Sequence, residues 1–486
     1  MPSQILLNKK TRRNRTEDIA FKLITTGFNY PILRKILINK IKKVAYKNLM
    51  IKNKSNLKEV QIKKYQFVSA LLESIDRGLQ KGFISPEVAE RSFKTLGRNF
   101  INSKEIVPIH KNFYKKYGKY PPLFIVLAPT QKCNLTCKGC YASAKFNAPT
   151  LSYNSIDKIF KEIHDEWGSR FVTITGGEPL MYNDNGKTMY DLWEKYNDMY
   201  FLFYTNGTLI TKDVAKRLAE LGNVTPAISI EGYEKETDER RGAGVYKRIL
   251  ESMKNLREVG VPFGVSITAT SMNFDILMED KFYDFAFKEL GAIYMWMFQL
   301  MPIGQACDMR DCMINPEQRI KLYRKWEYLL KEKKYPIADF WNSGVLSNGC
   351  IAYGRDGGHL YIDWNGNIMP CVFVPFFEDN IIKLYNQGKK LTDSLFSELF
   401  INGRKWQEDY GYGYSRRNPD NWLMPCSIRD HFSNFKKNIV TKKTKPEDKF
   451  AGEALKSGDY ERALNEFDKK LEDKSLPIWK EEYLGE

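Results

Sequence analysis

Cys133, Cys137 and Cys140 fall within eight residues, Cys133-Asn-Leu-Thr-Cys137-Lys-Gly-Cys140-Tyr141, directly after an apolar run from Leu123 to Leu127. Thiols spaced C-x3-C-x2-C can converge on one centre, and this spacing suits three corners of an iron-sulfur cube better than a zinc tetrahedron. No cysteine stands nearby for the fourth corner, so an iron there is open to something other than protein. A three-thiol zinc knuckle completed by a distant ligand is the alternative.

Five more cysteines lie downstream: Cys307, Cys312, Cys350, Cys371 and Cys426. Eight cysteines in 486 residues are too sparse for a disulfide scaffold, and their grouping looks metal-directed, which suits a reducing compartment. Buried free thiols are the plain alternative for the later set, since cysteine packs as a small hydrophobe. With four histidines in the chain, histidine-based metal or acid-base chemistry is poorly supplied.

The first loop closely resembles the cluster loop of the radical SAM enzymes. In that family three cysteines hold a [4Fe-4S] cluster whose open iron chelates S-adenosylmethionine, and reductive cleavage yields a 5′-deoxyadenosyl radical. The resemblance extends to Gly176-Gly177-Glu178-Pro179, which looks like the segment meeting the methionyl amino group. Asn206, in Thr205-Asn206-Gly207, and Ser229, in Ser229-Ile230-Glu231-Gly232, fall where the family contacts ribose and methionine. Arg241 resembles its carboxylate-binding arginine, a role that suits a bidentate guanidinium. Tyr141 stands where the family has an aromatic against the adenine, and Gln299 to Gly304 resembles its Pro-Ile-Gly segment. Taken singly, Gly-Gly-Glu-Pro and Asn-Gly are ordinary turns, Arg240 and Arg241 are ordinary surface charges, and Tyr141 is an ordinary packing residue.

The stretch Gly366-Asn-Ile-Met-Pro370-Cys371 resembles the hairpin of the SPASM or twitch extensions that carry auxiliary clusters. The dense C-x2-C-x5-C-x3-C run of a full SPASM extension is missing. The resemblance implies one auxiliary iron-sulfur cluster on Cys350, Cys371 and Cys426, its fourth ligand being Cys307, Cys312, His431 or substrate.

These residues must be positioned by repeated strand, turn and helix. Strands are expected at Leu123–Ala128, Phe171–Thr175, Tyr200–Thr205, Pro226–Ile230, Phe263–Thr268 and Tyr294–Leu300. Amphipathic helices between them begin near Ser152 and run over Lys212–Leu221, Tyr246–Val259 and Asp280–Leu290, the last three each followed by a glycine. Short apolar strands in β-α units make a parallel sheet buried on both faces, with its site at the strands' C-terminal ends. The resemblance selects a partial (β/α)6 TIM-like barrel within an α/β chain. A hairpin is expected from Leu360 to Val374, turning at Trp364-Asn-Gly366.

The net charge of +17 is uneven: residues 1–64 hold 17 lysines and arginines against Glu17, Asp18 and Glu59, which leaves +14 there. From Tyr30 to Ile51 the spacing predicts a basic amphipathic helix, able to pack on the body or lie on an anionic membrane. No nucleic-acid motif accompanies the charge, so nucleic acid is not an expected partner. With no apolar run of bilayer length and no signal-peptide pattern, the chain is expected to be cytoplasmic, peripheral to the inner face of the membrane if residues 1–64 dock there.

The chain divides into a basic segment (1–64), a helical prelude (65–120), the barrel (121–305), a helical connector (306–340), an auxiliary cluster domain (341–435) and a charged helical tail (436–486). The expected activity is hydrogen abstraction by a radical SAM enzyme, supplied with electrons by a flavodoxin or ferredoxin. A membrane-associated lipid is one substrate class, a modified peptide another, and a zinc-stabilised scaffold is the non-enzymatic alternative. Tyr410 to Arg417, rich in glycine and tyrosine, is expected to be a lid.

Overall fold

The computed structural model describes residues 30–53, 56–101, 103–412 and 419–486. The lid expected over Tyr410 to Arg417 falls mostly outside them.

Six parallel strands form where the periodicity places them: β1 (Phe124–Leu127), β2 (Phe171–Ile174), β3 (Tyr200–Thr205), β4 (Val224–Ser229), β5 (Gly264–Ala269) and β6 (Met295–Gln299). Two further parallel strands extend the sheet. β7 (Ile337–Asp339), from the stretch expected to be a helical connector, pairs with β6. β8 (His359–Ile362), the first arm of the expected hairpin, pairs in parallel with β1. Its second arm, β9 (Asn367–Met369), pairs antiparallel with β8, and Asp379–Asn380 adds a last short strand. The hairpin is therefore an edge of the barrel sheet. The order is Asp379–Asn380, β9, β8, β1 through β7.

Alternation sorts the strand side chains. Ile125, Leu127, Val172, Ile174, Val265, Ile267, Met295 and Met297 are buried in the main core. Phe124, Val126, Phe171, Thr173, Trp296 and Phe298 turn the other way and line an internal cavity. Ser152 caps the helix Tyr153–Glu162 by accepting from Ser155 N, and Thr211 caps Lys212–Leu221 by accepting from Val214 N.

Among the described residues four α-helices precede the barrel: α1 (Pro31–Tyr46), α2 (Lys58–Gln80), α3 (Pro86–Ile101) and α4 (Ser103–Tyr117). Ser85 N donates to Gly260 O (3.1 Å) and Ser92 Oγ to Gly222 O (2.8 Å). Gly222 and Gly260 precede β4 and β5, so this layer closes the N-terminal end of the barrel. α1 rests on α2 through Arg34–Asp76 (2.5 Å) and Lys42–Glu73 (2.6 Å). Arg34 and Ile38 are buried there, while Ile32, Leu33, Ile36 and Val44 are 77, 49, 58 and 54% exposed. Much of the apolar stripe thus faces outward, while the face with Arg34, Ile38 and Lys42 meets α2. Among the described residues no helix is long and apolar enough to cross a membrane.

Candidate active site

The loop after β1 leaves the sheet at its C-terminal end and carries Cys133, Cys137 and Cys140. It is held by backbone. Cys133 N donates to Lys145 O (3.0 Å), and Lys138 N donates to Arg240 O (2.9 Å) at the end of the helix Glu234–Arg241. Gly177 N and Glu178 N donate to Thr130 O (2.9 Å) and Lys132 O (2.7 Å). A Cβ on Gly177 would stand 2.2 Å from Lys132 O, and one on Gly304 would stand 2.2 Å from Tyr141 O. Both motif glycines are thus required by the close approach of loop backbone. Gln305 N adds a bond to Cys140 O (3.2 Å).

Asn206, at the end of β3, donates from Nδ2 to Asn134 Oδ1 (2.8 Å) and points the same group at Cys133 Sγ (3.7 Å). An N–H aimed at a thiolate stabilises its charge and tunes a cluster bound to it. Burial pushes the Cys133 thiol up to about 11, with Glu178, Cys137 and Cys140 adding to the shift. Such a thiol ionises at neutral pH when a metal takes the proton's place.

Glu178 turns away from the cavity. Its carboxylate, fully buried, accepts from Asn206 N (2.8 Å), Leu180 N (3.2 Å) and Thr205 Oγ1 (2.9 Å). Here it ties the glycine turn to the end of β3. Arg241 lines the cavity but is paired: its Nη2 and Nε reach Glu231 Oε1 at 2.5 and 3.0 Å. Arg240 joins the same oxygen at 2.8 Å. Glu231 and Arg240 were not singled out from sequence, although an acid nine and ten residues before paired arginines was the available signal. Ser229 lines the cavity, as do Gly176 and Tyr141. The Tyr141 hydroxyl is taken by Thr175 Oγ1 (2.7 Å) and Gly176 N (3.3 Å), so its ring is what it offers.

The second cysteine set gathers at the other end. β9 runs antiparallel to β8 with Met369 opposite Tyr361, which carries Cys371 toward the level of His359 at the start of β8. His359 N donates to Ile351 O (2.8 Å), bringing Cys350 to that same end. Burial raises the Cys371 thiol, with Cys350 and Cys426 adding to it. Cys426 is pushed up to about 12 by burial, then by Asp430 and Cys350. Its loop is fixed by a fully buried ion pair, Arg319–Asp430 (2.5 Å), and by Tyr353 hydroxyl on Ser427 Oγ (2.7 Å).

One cavity of about 850 Å³ is lined by all six of Cys133, Cys137, Cys140, Cys350, Cys371 and Cys426. Cys307, Cys312 and His431 do not line it, and His431 Nε2 is 2.9 Å from Met424 O. Among the described residues no three metal-ligating side chains converge as a single ion requires. A cube, several metal ions wide, takes its thiolates from farther apart than one tetrahedral zinc.

A parallel barrel with a three-cysteine loop at its C-terminal end defines a cluster-bearing α/β enzyme fold. Residues 127–286 match the model of the Radical SAM superfamily. The chain carries a radical SAM domain over these residues, and the enzymes of that superfamily use a [4Fe-4S] cluster and S-adenosylmethionine.

Among characterised proteins it is similar to the AdoMet-dependent heme synthase of Methanosarcina barkeri, 24% identical over 54% of this chain and 79% of that one. It is similar to the Fe-coproporphyrin III synthase of the same organism, 32% identical over 51% and 60%. The mycofactocin maturase MftC of Mycobacterium tuberculosis is 27% identical over 60% and 73%. Streptococcus suis SuiB bound to S-adenosylmethionine superposes at TM-score 0.48, with 16% identity over 65% and 77%.

Proposed function

We propose that the chain removes a hydrogen atom from an apolar, membrane-associated lipid lying in the barrel between the two cysteine sets. The single observation that carries this is the cavity: both sets open into it from opposite ends, and its walls between them are Val126, Phe171, Trp296, Phe298 and Phe340. Bound at Cys133, Cys137 and Cys140, the [4Fe-4S] cluster and S-adenosylmethionine supply a 5′-deoxyadenosyl radical. Asn206 and the glycine turn hold that loop, Arg240 and Arg241 offer positive charge for a carboxylate, and the Tyr141 ring offers a face for adenine. Arg241 does so by sharing or leaving Glu231. Cys350, Cys371 and Cys426 hold the auxiliary cluster, and a low-potential flavodoxin or ferredoxin supplies electrons.

Docking to an anionic membrane through residues 1–64 follows from α1. Its outward face sets Ile32, Leu33, Ile36 and Val44 among Lys40, Lys43 and Lys47, and it holds no acidic residue. Apolar side chains enter the acyl boundary while lysines reach headgroup phosphates. Co-sedimentation with phosphatidylglycerol vesicles should be salt-sensitive and lost on removal of residues 1–64. No binding at low salt defeats the membrane part.

The test of function is anaerobic reconstitution with reductant, S-adenosylmethionine and a perdeuterated total lipid extract. Deuterium in 5′-deoxyadenosine supports the reading, and its absence overturns it. A peptide substrate is the second reading, favoured by the similarity to the mycofactocin maturase, and deuterium arriving from a labelled peptide instead would establish it.

A further inference from the structure

The cavity does not stop at the auxiliary cysteines. It continues past the N-terminal ends of β1 and β2, where Phe124 and Phe171 line it, into an arm walled by Phe67 of α2, Leu96 of α3 and Ile106 and His110 of α4. Gly168 also lines this arm, and a Cβ there would lie 3.4 Å from Ile106 and 3.6 Å from His110. A TIM-type barrel ordinarily fills its lumen with layers of side chains. Here the lumen, which the two clusters and S-adenosylmethionine would share, is prolonged by helices that belong to the prelude, not to the barrel.

We infer that this basal arm is a binding site for the distal part of a linear apolar chain, and that Ile106 and Phe67 set the chain length the enzyme accepts. The inference deepens the lipid reading above and rests on it. Three observations select a linear chain. The passage from the first cysteine loop to the arm runs the whole depth of the sheet, more than the about 10 Å that a four-residue strand spans. Its walls are mostly aromatic and aliphatic, with polar side chains such as Thr173, Ser266, Thr268, Ser343 and Ser427 interspersed and Arg170 beside the arm, a lining that suits an apolar chain. The arm also lies under α2, which carries α1 and its exposed apolar face on its other surface.

The test is equilibrium binding to the anaerobically reconstituted protein, read as displacement of a fluorescent polyene fatty acid by linear fatty alcohols of increasing length. Affinity should rise several-fold per methylene until the cavity is full and then level off. Ile106→Trp should move that plateau to shorter chains while leaving octanol unchanged, and Ile106→Ala should move it to longer ones. Chains that bind with the same plateau in wild type and both variants overturn the arm assignment and leave the lipid reading standing. Failure of every chain to bind wild type overturns both. Circular dichroism and iron content of the variants report whether they fold, and Phe67→Ala, expected to lengthen the plateau, supplies an independent variant.

Discussion

The two cysteine sets are built by different means. The first loop is fastened by backbone on several sides: the Gly176-Gly177 turn, Gly304-Gln305 and the end of the helix Glu234–Arg241 all meet its peptide groups directly. In the second set backbone pairing places Cys350 and Cys371, but the loop of Cys426 hangs on side chains from distant parts of the chain, above all Arg319 and Asp430, 111 residues apart. A centre whose iron must be left open needs its three ligands fixed by something unable to change rotamer. A centre assembled by an extension can rely on a buried charge pair. Removing ligands separates the two most sharply. Cys137→Ala should reduce 5′-deoxyadenosine release to background, whereas Cys426→Ala should keep that release and lose substrate turnover, both read by chromatography of anaerobic reactions. Iron should fall from about eight per chain by about half in each.

The same contrast predicts how each site fails when its support is removed. Arg319→Ala leaves Asp430 charged and buried, which costs about 3–5 kcal/mol. Thermal melting should show a large loss, with the auxiliary iron released first and 5′-deoxyadenosine formation persisting in the protein that remains folded. Gly177→Ala acts on the other site. Its methyl group would overlap Lys132 O, and the shift that relieves this should cost about 1–3 kcal/mol. Its signature is iron lost from the first site, with 5′-deoxyadenosine falling in proportion.

This difference also explains what was legible in the sequence. The barrel strands and the helices stopping at Gly222, Gly260 and Gly291 follow from periodicity and end signals, which are local. The hairpin at Gly366 was equally local, but its pairing with β1 was not, because nothing in His359–Ile362 names a partner more than 200 residues away. β7 was missed because three residues carry no period. The six lining cysteines were legible by spacing and resemblance, whereas Glu178 facing inward toward Thr205 and Asn206 depends on donors that only the folded chain supplies. The face that α1 turns to α2 is marked by two ion pairs, Arg34 to Asp76 and Lys42 to Glu73, that no hydrophobic pattern contains.

The smallest predicted effect concerns His359, which stands where the auxiliary end meets the basal arm. Its ring stacks on Phe124 with centroids 5.2 Å apart, is fully buried, and has no partner for Nδ1. Burial, and then the charge of Arg355, lowers its pKa to about 4, against about 6.5 in an unfolded chain. The folded protein therefore holds the neutral ring while the unfolded chain takes up a proton between these values. Stability from this residue is complete above pH 6.5 and is lost as pH falls toward 4. Between pH 7 and pH 5 the loss should be about 2 kcal/mol. His359→Gln should remove that component, so urea midpoints of wild type and variant should converge as pH falls across this range. Parallel midpoints would mean that the ring titrates normally and that water reaches it through the basal arm.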